Sequence, residues 1–161
     1  MDLQESFSED PKLLESWLAT IGMLTIFWSP IERRIDQCVH LLYLNLPKSS
    51  NKNKPGSLQR KLEFITCHLP DNVANKDQIL SLVKNTKNTV QIRDVCVHGV
   101  LESYDQHEMK ISKIDGKKSE HATEIFTIDS KRLNISAQSL SNLSKDWELI
   151  VNMLVQETTN S

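Results

Sequence analysis

Between Leu14 and Leu46 an apolar residue returns at every third or fourth position, with Trp17, Leu24, Trp28, Ile35 and Leu42 among them. That spacing draws one apolar stripe along a helix, and a helix of this kind needs other elements to cover the stripe. The stripe runs through Pro30. Ser29-Pro30-Ile31-Glu32 offers a cap, a first-turn proline and a capping-box glutamate, so either a second helix starts there or one long helix kinks. In both cases the two helical segments share a face.

The rest of the chain supplies the covering elements. Residues 47–56 hold no apolar side chain apart from prolines and read as a mobile, mildly basic loop. Ser57 can cap a short helix carrying Leu58, Leu62, Ile65 and Leu69, which must stop at Pro70 because proline disfavours helical geometry in the residue before it. A turn, Pro70-Asp71-Asn72, follows. Ile79, Val83, Val90 and Val97 then mark a helix from about Asn75 to Val97, with Gly99 where a left-handed C-terminal cap would stand. Glu108–Ile114 and Ala122–Ile128 alternate polar and apolar residues around Asp115-Gly-Lys-Lys118, the pattern of a β-hairpin. From about Ser136, Leu140, Leu143, Trp147, Ile150 and Leu154 define a last amphipathic helix. The expected fold is mainly all-α: a single domain over 1–161, a bundle of four or five helices with a small hairpin, about 106–130, inserted before the last.

Composition narrows the function. Nineteen basic and 21 acidic residues give a net charge of -2, so no global positive field draws the chain to nucleic acid, and any such contact must be a local patch. Candidate patches are Lys48, Lys52, Lys54, Arg60 and Lys61, and Lys84 with Lys87. The acidic N-terminus lacks a secretory signal, and the apolar window Trp17–Trp28 is shorter than the roughly 20 residues of a membrane span. A cytoplasmic protein without membrane contact is expected. With four glycines in the chain, a glycine-built phosphate cradle is not expected, and no Ser-His-Asp order, zincin or EF-hand spacing occurs. No cofactor is expected.

Three cysteines, each beside or one residue from a histidine (Cys38 and His40, Cys67 and His68, Cys96 and His98), raise the question of zinc. On a helix, residues two apart point about 200 degrees from each other, whereas helical ligand pairs need a spacing of three or four. The odd count and wide spacing also argue against a disulfide framework, leaving small buried thiols.

The remaining constellation is Ile92-Arg93-Asp94-Val95-Cys96-Val97-His98-Gly99 at the end of the third helical segment. Five helical steps leave Arg93 and His98 roughly 140 degrees apart, close enough for a long guanidinium stem to border a groove that a second wall would complete. Arginine is a fixed fork for phosphate and histidine titrates near neutrality. Together they supply charge stabilisation and a proton acceptor for attack of an RNA 2′-hydroxyl on its own phosphate, a reaction that can run without metal. The plainer reading is a histidine favourable to the helix dipole and an arginine paired with a helical acid.

Arg93-Asp94-x-x-x-His98-Gly99 resembles the Arg-x-x-x-x-His motif of the HEPN superfamily (higher eukaryotes and prokaryotes nucleotide-binding), in which a polar residue often follows the arginine. Trp28–Glu32, Lys54–Leu62 and Phe126–Leu133 also look like flanks of small bacterial members. The resemblance implies a homodimer whose motif helices face each other across a two-fold cleft, and an RNA-cleaving site of a defence or toxin type with a cognate antitoxin. By residue it implies Arg93 as phosphate clamp, His98 as general base or acid, and Asp94 as a polar orienter. Asn is common where this chain has Asp94, and some relatives only bind a nucleotide or a protein partner. A solitary bundle in which His98 is only a cap is the structural alternative.

Overall fold

The computed structural model describes residues 10–47, 53–70, 73, 75–114 and 122–159. The first apolar stripe forms one helix, α1 (Pro11–Leu44), continuous through Pro30, so no second helix starts at Ser29. Proline has no N–H, which deprives the Ile26 carbonyl of its donor. Ile26 is itself exposed, so water can take that role.

The short α2 (Leu58–His68) begins and ends as its sequence requires. Ser57 is its N-cap, accepting from the Arg60 N–H at 3.4 Å, and Leu69, before Pro70, is already extended. Next comes α3 (Lys76–His98), entered through Asn75. Asn75 has a φ of 64°, a left-handed conformation that asparagine tolerates, and its carbonyl accepts from the Gln78 and Ile79 amides.

The chain between α3 and the last helix forms three strands, β1 (Val100–Tyr104), β2 (Glu108–Ile114) and β3 (Thr123–Asp129), in an antiparallel sheet of order β1-β2-β3. The expected hairpin is β2–β3; β1 is a correction to it. A register irregularity between Leu101 and Ser103 interrupts the period-two pattern, which hid this strand in the sequence. The turn Asp115–Lys118 lies outside the described residues, as do Asp71, Asn72, Lys48 and Lys52.

The last helix, α4 (Ser130–Thr159), starts six residues before the expected Ser136. Asp129, the end of β3, is also its cap, accepting from the Arg132 N–H at 2.6 Å. Leu133 and Ala137 extend the buried stripe back to this point.

The chain divides into two compact units, one combining the residues up to Ile26 with Val90–Gln138, the other Phe27–Thr89 with Ser139 onward. In the first, Trp17, Met109, Ile111, Ile128 and Leu133 are buried, and the Trp17 Nε1 donates to the Asp105 carbonyl at 2.9 Å, tying α1 to the β1–β2 turn. In the second, Ile31, Ile35, Leu62, Ile65, Ile79 and Trp147 are fully buried. Burying each such side chain contributes about 1.5–3 kcal/mol, so these faces hold the elements together. All three tryptophans pack in cores. Among the described residues no helix is long and apolar enough to cross a membrane.

Candidate functional site

The motif residues stand on the final turns of α3, in the first unit. Val95 is buried 7% exposed and anchors this turn, which turns Arg93 and Asp94 half outward and leaves His98 in solvent. Arg93 Nη1 donates to Asp94 Oδ1 at 3.0 Å, with side chains 18% and 38% exposed. Arg93 Nε is buried and has no hydrogen-bond partner among the described residues. A buried donor without an acceptor is unfavourable, so the guanidinium is held with one edge unused. His98 makes no side-chain hydrogen bond within the described residues.

Asp94 and His98 are four residues apart and therefore share a face of the helix. Of these two, it is the Asp94 carboxylate that is bonded to the Arg93 guanidinium. Sequence spacing brought Arg93 and His98 to one helix end; the ion pair between Arg93 and Asp94 is given by the side-chain geometry.

Gly99 follows directly, but not as the expected left-handed cap, since no described glycine has a positive φ. Its glycine character comes from packing. A Cβ there would collide with Ile111 Cγ2 and would meet the Val95 carbonyl oxygen at 2.6 Å and the Ser112 carbonyl oxygen at 3.0 Å. Strand β2 thus presses on the backbone right after His98 and fixes where the helix ends. Ser112 and Glu102, on the paired strands, are hydrogen-bonded side chain to side chain.

The cysteines do not converge with the histidines. Cys38 is buried while His40 is exposed, and burial pushes the Cys38 thiol up to about 12 despite the nearby Arg34. Cys96 is half-buried, its thiol raised by burial to about 11, while His98 points to solvent. His68 Nδ1 is engaged by the Phe64 carbonyl at 2.8 Å. Among the described residues no three His, Cys, Asp or Glu side chains gather as a metal set.

The basic patch near the α2 start is partly neutralised. Lys61 pairs with Asp36 at 2.7 Å, and Lys54 lies 3.4 Å from His40 Nδ1. Arg34 is likewise taken up by Glu148 at 3.0 Å. Lys84 and Lys87 are exposed on α3.

No family model, no curated protein and no solved structure matches this chain.

Proposed function

We propose that the chain is a HEPN-like, metal-independent endoribonuclease that works as a homodimer, with Arg93, Asp94 and His98 of both copies lining one cleft. The observation that carries this reading is the contrast within one helix end: Arg93 is anchored by Asp94, while the imidazole of His98 is exposed to solvent. A held guanidinium and an unengaged imidazole are what general acid–base cleavage of RNA needs.

In the reaction His98 accepts the proton of a 2′-hydroxyl as that oxygen bonds to the adjacent phosphorus. The bond from phosphorus to the 5′-oxygen breaks, and the leaving oxygen takes a proton from the His98 of the second copy. Arg93 balances the charge on the phosphoryl oxygens. The products are a 2′,3′-cyclic phosphate and a free 5′-hydroxyl. A defence or toxin role in the cytoplasm, restrained by a cognate antitoxin, is the setting that goes with this activity.

A second reading has its own support. Asp94 neutralises the one fixed cation of the site, and Arg93 is only 18% exposed. A catalytically silent dimer that binds a nucleotide or a protein partner would tolerate such a shielded arginine.

The test is cleavage of a mixed RNA by the purified chain and by His98→Ala, in excess chelator, with analysis of the new 3′ ends. The expected result is cyclic phosphate ends from the native chain and a loss of at least about 100-fold in rate in the variant. A folded, dimeric protein that leaves RNA intact would transfer the case to the silent binding module.

A further inference from the structure

In the second unit, α3 and α4 border a groove made of two adjoining clefts, of about 510 Å³ and 320 Å³, that share Asn85 and Asp146. Volumes of this order are those of small-molecule sites, about 300–1,000 Å³. Five carboxamides line it: Asn75, Gln78, Asn85, Asn88 and Asn142. The carboxylate of Asp146 is its one charge, with no Lys, Arg or His among the described lining residues.

This lining is locally unfavourable for helices. Asparagine competes with the backbone for hydrogen bonds and is a weak helix former, yet Asn85, Asn88 and Asn142 stand in helix interiors. Beside these amides the groove carries apolar surface from Leu82, Ile150 and Leu149, the last 66% exposed. A ligand suited to it is neutral, flat on one side and rich in hydrogen-bonding edges. Phosphate is disfavoured, because Asp146 repels it and no lining cation offsets that repulsion.

The groove is also pre-organised. The Trp147 Nε1 donates to Thr86 Oγ1 at 2.9 Å, both residues being fully buried, and Thr86 donates onward to the Leu82 carbonyl at 2.8 Å. Asn85 and Asp146 are each one residue from this latch, so it sets the register of the two side chains common to both clefts.

A carboxylate accepts two N–H groups side by side. Of the four RNA bases, only guanine presents two neighbouring donors, N1–H and N2–H, on one edge; the others break the pair with an acceptor. We propose that the groove is a guanine-binding site, in which Asp146 accepts from N1–H and N2–H, Asn85 donates to O6, and the apolar side chains flank the ring. The site stands apart from the ribonuclease reading of His98. The guanine belongs either to a free nucleoside or to an unpaired position of RNA, which the same edge would present.

The experiment titrates the full chain with guanosine, adenosine, GMP and short single-stranded 2′-O-methyl oligoribonucleotides with and without guanine, which lack the attacking 2′-hydroxyl, by calorimetry. Guanosine is expected to bind with a Kd of about 1 mM or below, and adenosine about tenfold more weakly or worse. GMP should bind no tighter than guanosine. Asp146→Asn, a change at an exposed position, should keep the fold by circular dichroism, weaken guanosine at least about tenfold, and shift preference toward xanthosine, whose O2 accepts from the new amide. Asn85→Ala should weaken guanosine as well. Guanine-dependent oligonucleotide binding that Asp146→Asn removes would assign the source to RNA; saturation by guanosine alone would assign it to the free nucleoside. Absence of guanosine binding, equal binding of adenosine, tighter binding of GMP, or an Asp146→Asn variant indistinguishable from the native chain would each overturn the proposal. The readout is binding without cleavage, so its failure is distinct from failure of RNA to be cut.

Discussion

The two ends of α3 present opposite chemistry. Toward its start the helix offers neutral amides over a buried Thr86–Trp147 latch; at its finish it offers Arg93, Asp94 and His98 beside a strand that presses on Gly99. One region is organised by a hydrogen bond sealed from water, the other by close backbone contact and an ion pair in partial solvent. A latch of the first kind is sensitive to single atoms, because a buried group left unpaired is costly. The partly solvated Arg93–Asp94 pair is worth less to stability.

The largest expected effect falls on the latched region. Trp147→Ala removes a fully buried indole and should lower unfolding free energy by about 3–5 kcal/mol, measured by urea denaturation. A loss below about 1 kcal/mol would mean that the wall does not depend on this residue. Gly99→Ala tests the other region. The new methyl group meets two carbonyl oxygens as well as Ile111, so a loss of about 1–3 kcal/mol is expected, with weakened RNA cleavage. An unchanged melting temperature would show that the helix end can shift away from β2.

Thr86→Val keeps the shape and removes the acceptor of the indole N–H. A loss of about 1–3 kcal/mol is expected, together with weaker guanosine binding, because a donor stays buried unpaired. Equal stability of the two proteins would break the contrast drawn between the regions.

The smallest effect is at Asp105, in the turn of the first unit. Its carboxylate accepts the Glu108 and His107 amides, and these bonds hold its pKa below the ordinary 3.8. A depressed folded pKa contributes stability above the unfolded value, lost as pH falls through the folded one. Melting temperature in Asp105→Asn should therefore decline less than in the native chain below about pH 4. Parallel declines would remove the turn from the acid response.

Much of this was legible in the residues. The spacing from Leu14 to Leu46 gave α1, because helical burial repeats every three to four positions whatever the partner. Ser57 and Pro70 bracketed α2, since caps and proline act on local backbone geometry. Other features escaped. Strand β1 was hidden by its irregular register, and the early start of α4 by a polar first turn whose cap belongs to β3. Gly99 stands where a cap would be expected, but beside the local Val95 carbonyl it is Ile111 and Ser112 of β2 that leave no room for a side chain there.

The candidate sites divide in the same way. Sequence alone determined which residues share a helix end, Arg93, Asp94 and His98, because a helix fixes local angles. It also determined the stripes that become cores. The divergence of Cys38 and His40, two apart on one helix, was likewise local. Only the tertiary structure decided that Asn85 and Asp146 line one groove across 61 residues of chain, the separation of Thr86 from Trp147. Local periodicity encodes what a helix does by itself, while pairings between helices arise from packing that no single segment contains.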